Sequence, residues 1–267
     1  MNVVSLSPFD LALSALLILA LAGLSWRLRI GSERQLLISA LRSTVQLLLI
    51  GLVLKLLFAN AHPLWVGLLA AVMLAVAGRE VMVRQKRRFV GGWGFAVGTL
   101  SMFVSSFAVS VLALLLVIGN DPWYAPQYAI PLLGMILGNT MNGISLGLDR
   151  LTQDAAEKRQ IIESRLALGQ DARRAIADSR REAIRVGMIP IVNAMSAAGI
   201  VSLPGMMTGQ ILAGTPPVEA VKYQILVMFL IAGGTGSGTM VAVGLATRRL
   251  FDERQRLRLD RLQQPGN

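Results

Sequence analysis

Few residues in this chain of 267 are equipped for chemistry, and their types narrow what that chemistry can be. There is no cysteine and a single histidine, His62. Lack of cysteine excludes a disulfide framework, a Cys-based zinc site and a thiol nucleophile. A metalloprotease needs histidine and acid ligands gathered on one element, and His62 stands alone. Ser101, Ser105 and Ser106 have no histidine base near them in the sequence, so the nucleophile–base pairing of a serine hydrolase is missing. The string Gly233-Gly234-Thr235-Gly236-Ser237-Gly238-Thr239 is the nearest approach to a phosphate-binding loop. It lacks the lysine that would reach the terminal phosphates, and small residues at that density serve close helix packing. The chain is read as a non-enzyme that binds no cofactor of its own. No metal site is legible.

What remains is a set of polar residues inside apolar stretches, where each costs free energy unless it faces protein or water. Arg42 is followed one turn later, on the same helical face, by Gln46. Arg42 either snorkels to the headgroups or makes a structural or gating contact to a carbonyl or to Asp149. Asn139, Thr140 and Asn142 lie between Met135 and Met141, and a later stretch carries Asn193, Met195 and Ser196, then Pro204-Gly205-Met206-Met207-Thr208-Gly209-Gln210. A Pro-Gly pair far into a span predicts a broken helix, and broken helices are tolerated where they face protein or a cavity. A translocation path is therefore expected between these two stretches, along Asn139, Asn142, Asn193, Pro204, Gly205, Met206 and Gln210. Met206 and Met207 serve either as soft ligands or as adaptable packing. A hard cation would prefer oxygen, which the amides and the freed carbonyls of the broken segment offer.

The elements that must position these residues follow from composition: 54% hydrophobic residues and 15% charged, against about 25% charged in an ordinary soluble domain. A bilayer core about 30 Å thick needs roughly 20 apolar residues of helix. Seven stretches qualify, at 9–26, 35–58, 62–82, 93–118, 128–148, 187–212 and 221–247. The expected fold is all-α and polytopic, a single transmembrane domain over residues 1–267. The first stretch has no positive charge before it and Arg27, Arg29 and Arg34 just after, the reverse of a signal peptide. Nearly all of the 26 Lys and Arg residues fall in four clusters, after spans one and three, between five and six, and after seven. With seven spans these clusters share one side, so the N-terminus is expected outside and the C-terminus inside, in a bacterial inner membrane. The net charge of +11 then reports contact with anionic lipid rather than with nucleic acid, which would call for a basic folded domain.

Residues 149–186 are expected to be the one large cytoplasmic element, and 248–267 a basic tail. Leu151, Ala155, Ile162 and Leu166 fall on one helical stripe. Gly169 suits the position that ends that helix, and Asp171 can cap the next, which continues through Arg180-Arg181 into span six. A lipid-surface connector is the competing reading, but the acids in this segment nearly balance the bases.

The segment Glu163-Ser164-Arg165-Leu166-Ala167-Leu168-Gly169 resembles the EAA loop of ABC permeases, keeping its Glu-to-Gly spacing, with Ser164 and Arg165 in place of the two alanines. In those proteins that loop docks on the ATPase subunit, which implies a coupling role for Glu163, Ala167, Gly169 and Asp171. Ile130–Asn142, Ser202–Leu212, Glu219–Gln224 and Arg42–Leu47 are similar, in the same order, to the UPF0014 (FetB) family of ABC permeases. That resemblance implies a homodimeric membrane subunit powered by ATP and magnesium on a separate ATPase. It associates the family with iron export in bacteria and with aluminium tolerance in plants. Two other functions compete. A light-driven pump or receptor needs a lysine within its last span, where only Lys222 stands, at its start. An autonomous secondary transporter or channel needs ionisable groups at depth, and Arg42 alone comes near.

Overall fold

The computed structural model describes residues 7–59, 62–119 and 121–263. Helix dominates, as it must in a chain whose apolar stretches would otherwise carry unsatisfied backbone into lipid. Helix α1 (Pro8–Arg27) opens on a reciprocal cap in which the Asp10 amide donates to the Ser7 hydroxyl and the Ser7 amide to the Asp10 carboxylate. Helices α2 (Glu33–Ala59) and α3 (Pro63–Val83) follow. The next span begins as α4 (Trp93–Met102), widens into a π-helical turn at Phe103–Phe107, resumes as α5 (Ala108–Leu112) and widens again at Ala113–Ile118. Then come α6 (Pro126–Glu157), α7 (Arg159–Ala167), α8 (Ala172–Ala175), α9 (Ala177–Ala197), α10 (Gly205–Leu212) and α11 (Pro217–Arg249). Proline opens α1, α6 and α11, where the helix has no use for its missing N–H.

Among the described residues, six helical stretches are long and apolar enough to cross a membrane: those of α1, α2, α3, residues 93–118, α6 and α11. The chain is a polytopic helical membrane protein. The apolar run at 187–212 differs from the other six in not being one helix. Its first part is the end of α9 and its last part is α10, with an irregular turn between. The break expected at Pro204-Gly205 falls earlier. After Ala197 the backbone turns extended at Ala198, Gly199 adopts φ +81°, and the Ala197 carbonyl gathers the amides of Val201 and Ser202 at 3.0 and 3.1 Å. Gly199 takes that left-handed step without a Cβ penalty, whereas Pro204-Gly205 sits where α10 starts and a missing amide is harmless.

The chain forms two compact units, one of residues up to His62 with Leu212–Gly214, the other of Pro63–Ile211 and Thr215 onward. In the first, α1 and α2 pair across a short connection, the Ser25 hydroxyl lying 3.0 Å from that of Ser32. Leucines such as Leu17, Leu47 and Leu48 stay exposed on them, as a lipid-facing surface allows. In the second, α6 is the central post against which α3, α9 and α11 pack. Its Ile136, Ile144, Leu148, Leu151 and Ala155 are buried with Ala183 of α9 and Ala242, Val243 and Ala246 of α11. At the α6–α9 crossing, a Cβ on Gly187 would lie 2.6 Å from the Gly143 carbonyl oxygen. Glycine alone permits backbones that close.

Candidate docking turn and transport path

Helix α6 runs without interruption to Glu157, carrying its transmembrane stretch straight into the segment expected to be separate. The backbone hitches at Lys158 (φ −97°, ψ 21°) and restarts as α7. The predicted stripe holds across the hitch: Leu151, Ala155 and Ile162 are buried and Leu166 packs on the same core. Gly169, at φ +85°, ends α7, its amide donating to the Leu166 carbonyl at 2.9 Å and that of Gln170 to Arg165 at 3.1 Å. This paired closure satisfies the last carbonyls of α7. The Asp171 carboxylate then accepts the Arg174 amide at 2.7 Å, capping α8. After a second hitch at Ile176, α9 continues. Arg165 fastens the two arms of this turn, donating to the Ala175 carbonyl at 3.2 Å and pairing with Asp178 at 2.9 Å. Glu163 is paired with Arg159 at 2.8 Å. Ala167, Leu168, Gly169 and Asp171 are exposed at the tip, with Leu168 at 83%.

The basic tail is not a loose tail. Leu250 and Phe251 are buried beyond the end of α11, Phe251 pairs antiparallel with Leu257, and the Arg258 amide donates to the Leu250 carbonyl at 2.8 Å. The chain then runs to the α3–α4 connection, where Leu262 pairs with the buried Phe89 and the amides of Val90 and Gln263 donate to Arg261 and Arg88 at 2.9 and 2.8 Å. Arg261 donates to the Arg249 and Phe251 carbonyls, closing the end of α11, and Arg249 lies 5.2 Å over the Trp93 ring. This strap reaches the candidate docking turn through Gln255, whose side-chain oxygen accepts the Ala172 amide at 2.8 Å, one of the donors a helix start leaves over. Between strap and turn lies an open groove of about 1060 Å³, with Glu163, Gly169 and Asp171 on one wall and Arg254, Arg256 and Arg258 on the other. The Arg256 amide holds Asp252 below the usual carboxylate range, and the Arg258 guanidinium, at 2.8 and 2.9 Å, holds Asp260 down to about 2.

Two acids of α6 tie this end together. Asp149 accepts the Lys86 amide at 2.8 Å and the Gln153 side chain at 2.6 Å. Asp154, fully buried, pairs with Lys158 at 2.9 Å and Arg150 at 3.3 Å. Glu80 and Arg84 face each other at 3.7 Å, as their spacing suggests.

The path residues are less gathered. Asn139 and Asn142 lie on an exposed stripe of α6. The Asn139 amide donates to the Met135 carbonyl of its own helix at 2.8 Å, and the Asn142 oxygen accepts Arg84 at 2.6 Å. Asn193 is exposed on α9, Pro204 immediately precedes α10 and Gly205 begins it, Met206 is half-buried, and the Gln210 side-chain oxygen is enclosed with no hydrogen-bond partner among the described residues. Among the described residues no hydrogen bond joins Asn139 or Asn142 to Asn193 or Gln210. Arg42 and Gln46 lie one turn apart on an exposed face of α2. No group of three or more His, Asp or Glu side chains among the described residues is placed to hold a metal ion.

Residues 8–251 match the model of "Uncharacterised protein family (UPF0014)". The chain belongs to the UPF0014 family. It is 40% identical over 242 residues to "UPF0014 membrane protein slr1647" of Synechocystis, an alignment covering 89% of this chain and 91% of the relative. It is 32% identical over 264 residues to "Probable iron export permease protein FetB" of Escherichia coli, covering 96% and 97%. Against "Protein ALUMINUM SENSITIVE 3" of Arabidopsis thaliana the identity is 30% over 249 residues, covering 91% and 88%. No solved structure matches the chain.

In this UPF0014 chain the strap is the element that sequence reading missed. Its arginines look like any solvated charge run, and Asp252 and Asp260, which organise them, stand at ordinary spacing. The signal present was the apolar trio Leu250, Phe251 and Leu262, which flanks the charges and has no place in a solvated tail.

Proposed function

We propose that this chain is the membrane-spanning permease subunit of an ATP-driven ABC transporter, working as a homodimer with a separate ATPase that binds ATP and magnesium. Membrane permease is the family-level reading; the ATPase partnership and the cargo are the proposal. The docking turn carries it. Its exposed tip leaves Leu168 at 83% exposure, with nothing among the described residues to cover it, and its arms are the continuations of α6 and α9. A push on the tip therefore passes to those helices without crossing a flexible linker. In this reading α9 with α10 forms the sixth of seven spans, the N-terminus lies outside, and the basic end faces the cytoplasm of a bacterial inner membrane. Having the α3–α4 connection, the docking turn and the strap at one end of the second unit supports that sidedness. The export direction and an iron or other metal cargo follow the name of the Escherichia coli relative.

Homodimerisation is supported by Asn139, Asn142 and Asn193, amides on exposed faces of helices in apolar stretches. Such groups are costly against lipid, and a second copy or a polar path between copies accommodates them. The test is co-expression with candidate ATPases. One of them co-purifies and hydrolyses ATP faster in the presence of this chain, and Glu163→Arg with Gly169→Leu lowers that stimulation at least tenfold. Transport in vesicles without any ATPase would overturn the proposal in favour of an autonomous transporter.

A further inference from the structure

We propose that the seam where α6, α11 and the 93–118 span meet is a closed section of the transport path, one that takes a solvated polar cargo through neutral oxygen atoms when it opens. This deepens the permease reading and rests on it.

Hydroxyls in membrane helices ordinarily bond the carbonyl one turn back. Ser105, Ser145, Thr152 and Thr247 do so, at 2.8, 2.7, 3.0 and 2.7 Å. Ser101, Ser106, Ser110, Thr140, Thr235 and Thr239 do not. Their oxygens are enclosed and have no hydrogen-bond partner among the described residues, in residues no more than 4% exposed. Two of these oxygens point into notches between helices. The Thr239 oxygen lies 2.9 Å from where a Cβ on Gly143 would be, and the Thr140 oxygen 3.4 Å from a Cβ on Gly234. The Thr140 methyl group and the Ser105 hydroxyl both press on Gly238, at 2.6 and 2.7 Å from its Cβ position. The glycines let the helices close on one another, and there the Thr140 and Thr239 hydroxyls meet a glycine of the facing helix rather than their own backbones.

A junction built only to stay shut would be better served by valine and alanine, because an enclosed hydroxyl with no partner is unfavourable. The same hydroxyls suit a seam that parts. They can both donate to and accept from a hydrated or oxygen-bearing cargo, and they carry no charge that would trap it. The 93–118 span holds Ser105 and Ser106 within its first π-helical turn and Ser110 between its two such turns. Turns of that kind recur at functional sites.

The chain contains no cysteine, so single-cysteine variants report without background. Thr140→Cys, Thr239→Cys and Ser106→Cys are reconstituted with the co-purified ATPase and treated with the water-soluble thiol reagent MTSET, with and without ATP. Ile200→Cys, at an 89% exposed position, serves as the labelled control. Labelling of the seam at least tenfold faster in one nucleotide state is expected. Thr140→Val and Thr239→Val, which remove the enclosed hydroxyls at constant shape, are expected to cut transport at least fivefold with no loss of thermal stability. An ATP-hydrolysing complex whose seam cysteines stay unlabelled in both states, or valine variants that transport at the wild-type rate, overturns this inference alone. Failure of any ATPase to associate overturns the permease reading and this inference with it.

Discussion

Gly143 and Gly187 show how much of the second unit depends on single atoms. A methyl group on Gly187 would sit 2.6 Å from the Gly143 carbonyl and 2.7 Å from Thr239, and a backbone oxygen inside a packed helix cannot step aside. Gly187→Ala is expected to destabilise the protein by about 1–3 kcal/mol through overpacking, read as a lower Tm in detergent. Gly233→Ala makes the contrast. Nothing lies within 4 Å of its Cβ position, so the better helix former is expected to leave Tm unchanged or raise it. The sequence shows glycine density around 233–239 and so suggests packing. It cannot show that Gly233 is spare and Gly187 indispensable, because that depends on the register of three helices.

At the level of elements, the turn at Gly169 was largely legible and the strap was not. Gly169 and Asp171 act through residues at most four positions away, and local rules suffice for them. The strap is held by Arg88, Phe89, Val90 and Ala172, all far away in the sequence. Its stability should depend on pH in a definite direction. Asp260 is held at about 2, and Asp252 is also lowered. The unfolded strap therefore binds protons more readily than the folded one. The stabilisation is complete above the ordinary carboxylate pKa, about 4, and is lost as the pH falls toward 2. A spin label at Glu253→Cys is expected to stay immobilised from pH 7 to about 4 and to become mobile on further acidification. Mobility unchanged down to pH 2 would show that these carboxylates do not hold the strap.

Over the molecule as a whole, the proposed homodimer would cover the exposed amides of α6 and α9. Asn139→Cys is expected to form an intermolecular disulfide under mild oxidation, seen as a dimer on a non-reducing gel, whereas Ile200→Cys, in the turn after α9, is not expected to cross-link. A chain that stays monomeric in the bilayer and still couples ATP hydrolysis to transport would remove the two-copy arrangement.

Membrane residence and helical class were determined by the sequence alone, because lipid imposes length, apolarity and backbone satisfaction on each span separately. The Gly169 break and the Asp171 cap were legible for a similar reason, since capping acts within a turn or two of helix. Only the tertiary structure decided where the 187–212 run breaks. Pro204-Gly205 reads as a breaker in isolation, yet Gly199 already supplies the left-handed residue and the proline fits a helix start. Tertiary structure also decided that Asn142 meets Arg84 and that the tail folds onto the α3–α4 connection. It decided that the Thr140 and Thr239 hydroxyls meet glycines of a neighbouring helix. These are contacts between residues distant in the chain, and their geometry is fixed by how the helices pack.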